Sequence, residues 1–218
     1  MPGAAAHGVA GVSGDAPMRI SEDRYSRDLR RLNLAQRCIR HEVRTQWIRA
    51  WTGFSERRVL TLFRDYEQAE GKLRRHRGPA PFKATAFVRS AALRKEASAI
   101  GGLAQVMGVV PRKRRDRGGL ETGEGLCQVF EFYRQLVPQS QFSMDQFIRL
   151  VMALADGDEL ELGHCANCHG ALLLDRFGAE RRICPTCRED SITQGSIQKS
   201  STAVEVAEPA EAYQQPLF

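Results

Sequence analysis

Four of the six cysteines fall within 23 residues, as the two Cys-x-x-Cys pairs Cys165/Cys168 and Cys184/Cys187. The pairs are separated by 15 residues, a spacing typical of four-thiolate zinc sites. Each pair directs two sulfurs to one side, and the chain between the pairs returns to complete a tetrahedron. The sequence therefore predicts one structural zinc ion per chain. Two disulfides or an iron site are the competing interpretations.

Neither the paired cysteines nor the other cysteines and histidines indicate a catalytic site. A catalytic zinc ion keeps an open position beside three protein ligands, whereas four cysteines close the shell. His41 and Glu42 could open an H-E-x-x-H motif, but Thr45 occupies its closing position. Cys38 and Cys127 lie alone within apolar helical patterns, which is typical of small buried hydrophobic residues. No nucleophile and base pair emerges, so we expect no enzymatic activity.

Charge is segregated along the 218 residues. Residues 19–117 carry 25 Lys and Arg against 10 Asp and Glu, whereas residues 118–218 carry 7 against 15. A basic half joined to an acidic half indicates a polyanionic partner for the first half. Most basic residues are Arg, whose planar fork of donors suits phosphate and guanine. A bias toward Arg codons would raise the Arg share without segregating the charge.

A helix-turn-helix pattern lies within the basic half. Apolar residues at three- and four-residue spacing predict one long helix over 22–50 and a second helix over 56–70. Between them, Gly53 can adopt the positive φ that ends a helix, and Ser55 can cap the next one. Helical hairpins occur in many α-proteins. Arginines in the second helix favour DNA binding, because the N-terminal residues of a recognition helix reach base edges.

Two basic loops follow the second predicted helix, over residues 71–85 and 108–119. Such loops are commonly solvated surface, but beside a helix-turn-helix their side chains are candidates for phosphate contact. The candidate DNA-binding residues of the second helix and the two loops are Arg57, Arg58, Arg64, Arg74, Arg75, Arg77, Arg112, Lys113, Arg114 and Arg115.

The rest of the chain favours a mainly α fold. Helices are predicted over 86–107, over 125–137 and, from an S-x-x-Q capping box, over 144–154. Between the cysteine pairs we expect a hairpin with strands at 171–174 and 181–183. The predicted organisation is a disordered extension over 1–20, a helical DNA- and partner-binding domain over 21–158, a zinc-binding domain over 159–190, and a disordered tail over 191–218.

Several of these motifs resemble the FlhC family, the C subunits of the bacterial flagellar master regulator. They are the block HCANCHGALLLDRFGAERRICPTC over 164–187, the acidic link before it, the Thr-Gly-Phe-Ser turn over 52–55, and the loop over 78–82. The similarity spans about residues 24–190. It implies zinc on the four paired cysteines and an α-helical DNA-binding activator in a hetero-oligomer with FlhD. It also implies recruitment of RNA polymerase.

The sequence also allows another set of regulated genes and another class of protein. The basic loop over 112–117 and the N-terminal extension depart from flagellar members, and FlhC relatives on conjugative elements activate transfer genes instead. A zinc-ribbon module that binds RNA or a translation component is the alternative from another class. The chain has no run of 18 apolar residues and no secretory leader, so we expect a cytoplasmic protein without a membrane partner.

Overall fold

The computed structural model describes residues 20–73, 76, 83–112, 114–178 and 182–189. Nearly all of the predicted N-terminal extension and the predicted tail over 191–218 lie outside these residues. Over the described range the fold is mainly α-helical and carries a small antiparallel hairpin beside clustered cysteines, as predicted. The elements in chain order are α1 (Ile20–Arg40), α2 (Thr45–Thr52), α3 (Glu56–Glu70), α4 (Ala86–Arg89), α5 (Ala91–Val106), α6 (Leu120–Leu136), α7 (Met144–Asp156), β1 (Leu160–His164) and β2 (Ala171–Asp175).

The prediction of a single helix over 22–50 is wrong, because the chain turns between α1 and α2. Glu42 adopts a left-handed conformation with φ of 57°. On either side of it, two side chains are held by remote carboxylates. His41 Nε2 lies 3.0 Å from Glu131 Oε1, and Arg44 Nε donates to the carboxylate of Asp145 at 3.0 Å. Hydrogen bonds to carboxylates of distant helices therefore hold the chain on both sides of a break that the local sequence does not mark.

The predicted turn between the next two helices is confirmed. Gly53 ends α2 with φ of 71°, and its N–H donates to the carbonyl of Arg49 at 2.9 Å. Ser55 caps α3, its Oγ accepting from the N–H of Arg58 at 3.3 Å. The inner faces of α2 and α3 bury Ile48, Trp51, Val59 and Phe63. Helices α1, α2 and α3 pack against one another and form a three-helix cluster.

Helix α6 is longer than predicted at its start and contains a glycine that close packing requires. It starts at Leu120, five residues before the predicted start, and runs through Gly123. A Cβ atom at Gly123 would lie 2.7 Å from Leu34 Cδ2 and 2.8 Å from Trp51 Cβ. The glycine is thus required by the approach of α6 to α1 and α2 and is not a helix terminator here. The capping box of α7 is confirmed, with Ser143 and Gln146 exchanging hydrogen bonds.

The hairpin differs from its prediction. Strand β2 coincides with the expected first strand, but its partner is β1, which precedes the first cysteine pair, with Leu162 opposite Leu173. Residues 182–183 are not in a strand, and residue 181 lies outside the described part of the chain. The run of apolar residues in β2 made that strand predictable. Strand β1 was not predicted, because its alternating sequence is short and follows the acidic link.

The hairpin packs directly on α5. Leu173 donates its N–H to Ser98 Oγ at 2.9 Å and accepts from Arg94 Nε at 2.9 Å. A Cβ atom at Gly102 would approach Ala171 Cβ to 2.8 Å, so β2 lies against the helix surface. The buried core continues from the three-helix cluster through α5, α6 and α7 to Leu160 and Leu173. Across the described helices, none combines the length and the apolar character needed to cross a bilayer.

Candidate metal centre and nucleic-acid interface

The four paired cysteines are placed by two short turns. Cys165 follows β1 directly, and its N–H donates to the carbonyl of Gly170 at 2.9 Å. His169 donates back to the carbonyl of Cys165 at 3.0 Å and adopts φ of 58°, which closes the first turn. Cys184 and Cys187 lie at the start of the helical turn over 185–189. The first pair therefore depends on the hairpin, and the second pair is brought to it by the returning chain.

The sulfurs fit a tetrahedral metal ion. All four Sγ atoms lie within 4.8 Å of one another, and those of Cys168 and Cys184 are 3.7 Å apart. Sulfurs placed about 2.3 Å from a tetrahedral metal ion are separated by about 3.8 Å, so the cluster has the size of such a site. Among the described residues, His164 and His169 are not part of this cluster.

Backbone hydrogen bonds make the cluster electrostatically uneven. The N–H groups of Cys168 and Cys184 lower the pKa of Cys165 to about 6. The neighbouring thiols of Cys184 and Cys168 raise the pKa of Cys187 to about 12. The surroundings thus favour the thiolate of Cys165 and the thiol of Cys187, and the thiol of Cys187 would lose its proton when a cation binds. Four thiolates would fill the coordination shell of a tetrahedral metal ion, which suits a structural role for such an ion.

The centre joins the end of the described chain to the hairpin. Ala166 donates its N–H to the carbonyl of Arg182 at 2.7 Å, and the N–H of Cys184 lies 3.3 Å from Cys165 Sγ. Arg182 also lies 3.7 Å from the carboxylate of Glu161 on β1. Because β2 rests on α5 and Leu160 of β1 is buried in the core, the four cysteines are connected to the helical core through both strands of the hairpin.

The arginines predicted on the second helix have different environments. Arg57, Arg58 and Arg64 are all exposed on α3. The guanidinium of Arg58 lies over the ring of Phe54, 4.5 Å from its centroid. Arg49 of α2, which the sequence analysis did not single out, pairs with Glu56 at 3.5 Å. The α3 surface therefore offers Arg57 and Arg64 as exposed cations and holds Arg58 against the turn.

The second basic loop lies beside the helix-turn-helix. Trp51 donates from Nε1 to the carbonyl of Arg117 at 3.1 Å, and Gly119 donates its N–H to the carbonyl of Ala50 at 3.1 Å. Arg112 is exposed and lines a cleft of about 940 Å³ that also contains Asp116 and Glu121. The predicted candidates Arg74, Arg75, Arg77 and Lys113, together with the side chains of Arg114 and Arg115, lie outside the described residues.

Sequence reasoning missed two buried relationships. Cys38 and Cys127 are buried, as predicted, but their sulfurs also face each other 3.7 Å apart across α1 and α6. Arg94 and Ser98 are buried polar residues that bind β2. Their spacing of one helical turn was the available signal, since a charged residue on an apolar helix face needs a partner.

The comparisons with known proteins add no relative. No family model matches the chain, and a search of curated proteins finds none similar to it. The resemblance to FlhC therefore rests on the motifs of the sequence and stays a prediction.

Proposed function

We propose that the protein is a zinc-containing, DNA-binding transcription activator of flagellar and motility genes that works in a hetero-oligomer with an FlhD-like partner. The observation that carries the proposal is the exposed, arginine-bearing face of α3, which follows a capped turn in a three-helix cluster. This is the arrangement in which a recognition helix enters the major groove of DNA.

The placement of basic residues supports duplex DNA as the partner. The loop after α3 begins at its C-terminal glycine, Gly71, and the loop ending at Arg117 is hydrogen-bonded to α2. The second basic loop thus borders the helix-turn-helix at Arg117, and the first one starts where α3 ends. Phosphate contacts from such segments supply affinity and orientation, and the exposed helix face supplies base contacts.

Donor chemistry supports zinc as the metal. A tetrahedral set of four thiolates suits zinc or an iron–sulfur centre. Zinc requires no redox partner and commonly stabilises small elements that lack a core of their own. The hairpin fits that description, because it has few fully buried apolar side chains. They are Leu160, Leu172 and Leu173. The bound ion would hold the turn over 165–170 and the helical turn over 185–189 together.

The FlhD-like partner and the recruitment of RNA polymerase come from the resemblance. Exposed apolar side chains supply surfaces for protein contacts. Tyr25 and Leu29 lie one turn apart on α1, and Phe132 and Leu136 lie one turn apart on α6. Side chains of this kind are the usual anchors of a protein interface.

A binding experiment tests the proposed function. The full chain, with and without an FlhD-like protein, is incubated with a random duplex DNA pool and then with the selected duplexes. With roughly 6–8 phosphate contacts, log affinity should fall with log salt concentration by about 0.9 per contact. A structured RNA of equal length is the competitor that represents the RNA-binding alternative. Affinity for the duplex that does not respond to salt, or preferential RNA binding, would contradict the proposal.

A further inference from the structure

We infer that α3 reads G·C-containing DNA through Arg57 and Arg64, with Thr61 between them, and that Arg58 contacts phosphate without reading bases. The inference rests on the proposed function and adds the division of labour among the arginines. It follows from the positions of these side chains on one short helix.

Arg57, Thr61 and Arg64 form a single exposed strip. They are spaced by four and three residues on α3, so they lie on the same helix face, and all three are exposed. The opposite face buries Val59 and Phe63 in the three-helix cluster. The strip therefore points away from the core and is the surface that α3 presents to a ligand.

Thr61 has its hydroxyl group engaged within the helix. Its Oγ1 donates to the carbonyl of Arg57 at 3.1 Å. The methyl group is then the part of Thr61 that offers apolar contact, which suits the methyl group of thymine in the major groove. The two flanking guanidinium groups suit guanine, because each can donate two parallel hydrogen bonds to its O6 and N7 atoms.

Arg58 lies on another side of the helix and is restrained. Its guanidinium stacks on Phe54 in the turn, at 4.5 Å from the ring centroid. Stacking on an aromatic ring fixes the plane of the guanidinium and leaves its edge available for hydrogen bonds. A cation held at the turn before a recognition helix is placed for the DNA backbone and can fix the orientation of α3 in the groove.

The spacing along α3 gives a quantitative expectation. Arg64 lies seven positions after Arg57 on α3, which corresponds to about 10 Å of rise in an α-helix. Base pairs are stacked about 3.4 Å apart, so a helix lying along the groove would place the two arginines about three base pairs apart. The expected recognition element is therefore two G·C pairs at that spacing with a preference for A·T between them.

The experiment compares single variants on selected duplexes by fluorescence anisotropy. The variants are R57A, R57K, R64A and R58A, and R89A removes one exposed charge from α4 as the matched control. The probes are the selected duplex and derivatives in which one G·C pair is replaced. Circular dichroism checks that each variant is folded, which we expect because each replaced side chain is exposed.

The wild type should bind the selected duplex roughly 5- to 150-fold more tightly than a derivative in which one G·C pair is replaced. This ratio, the discrimination at that pair, has the range that a bidentate contact supplies. R57A should abolish discrimination at one pair and R64A at the other, whereas R57K should retain part of it, because an ammonium group can still donate to guanine. R58A should weaken all duplexes by the same factor, lower the salt slope by about 0.9 and retain discrimination. R89A should change neither quantity.

Three results would overturn the inference. If the protein binds duplex DNA but R57A and R64A discriminate as the wild type does, the strip is solvated surface and the proposed function survives without it. If R58A loses discrimination, the assignment of roles is reversed and the inference is wrong. If no duplex is bound by any form, the proposed function fails together with the inference.

Discussion

Arg94 and Leu173 connect two parts of the chain that lie 79 residues apart, the guanidinium Nε donating to the carbonyl at 2.9 Å. The N–H of the same leucine donates to Ser98 Oγ, also at 2.9 Å. These two backbone groups of β2 point away from β1 and would otherwise belong to an open sheet edge. Side chains of α5 thus take the place of a third strand, and they connect the hairpin that carries the first cysteine pair to the helical core.

Replacing Ser98 by Ala should destabilise the protein. The change leaves the buried N–H of Leu173 without its acceptor, which costs about 1–3 kcal/mol. Ser90→Ala is the matched control, because Ser90 is exposed and its side chain makes no capping hydrogen bond. Urea unfolding followed by circular dichroism measures the difference. Equal loss of stability in both variants would show that the contact to β2 contributes nothing specific.

Cys184→Ser should release the metal. Zinc binding is expected to supply the folding free energy of the hairpin and its turns, on the order of 10 kcal/mol, so the variant should also lose solubility. Elemental analysis should find one zinc ion per wild-type chain and none in the variant. Cys38→Ser removes a thiol outside the cluster and should keep the ion. Soluble wild-type protein that carries no metal would refute the assignment.

The ion pair between α1 and α6 should make stability depend on pH. Burial raises the pKa of Glu131, but hydrogen bonds from Arg37 and His41 outweigh it and leave the pKa below its ordinary value of 4.5. A lowered carboxyl pKa stabilises the fold above pH 4.5, and this contribution is lost as the pH falls through the folded-state value. Glu131→Gln should therefore cost about 1 kcal/mol at pH 7 after allowance for solvent screening.

The pH test compares unfolding of the wild type and Glu131→Gln from pH 7 down to pH 3 or so. The difference between their free energies of unfolding should shrink as the pH falls below 4.5. Comparing the two proteins at each pH removes the shared effect of acid on the metal centre. A difference that stays constant over the whole range would mean that ionisation of Glu131 is not its source.

Gly123→Ala should destabilise α6 although alanine is the better helix former. The added Cβ would lie under 3 Å from Leu34 and Trp51, and such overpacking costs about 1–3 kcal/mol. Gly125→Ala provides the control within the same helix, because the Cβ there meets only Val109, at 3.1 Å. Thermal unfolding should show a lower melting temperature for Gly123→Ala alone. Similar melting temperatures for both variants would contradict the packing argument.

The features that the sequence predicted correctly are those set by interactions between residues close in sequence. The start and end of α3, the left-handed Gly53 and the capping box at Ser143 all follow from hydrogen bonds between residues close in sequence. The clustering of the four paired cysteines follows from their spacing in the same way. These features required no knowledge of how the helices pack.

Features fixed by distant residues escaped prediction. The break after α1 depends on carboxylates of α6 and α7, and the helical Gly123 depends on the surface of Trp51. The strand that pairs with β2 was predicted wrongly, because the segments before and after β2 could both pair with it. The other edge of β2 is hydrogen-bonded to polar side chains of α5. Which arginines face a ligand also depends on packing, as the stacking of Arg58 on Phe54 illustrates.

The dependence of α5 on β2 has a consequence for synthesis on the ribosome. Arg94 and Ser98 emerge long before Leu173, so their contacts with β2 cannot form while the intervening helices are being translated. The nascent chain would hold polar groups on a surface that is later buried, which delays completion of the core until the hairpin has left the exit tunnel. The second cysteine pair leaves the tunnel later still, and metal capture would then be among the last events of folding.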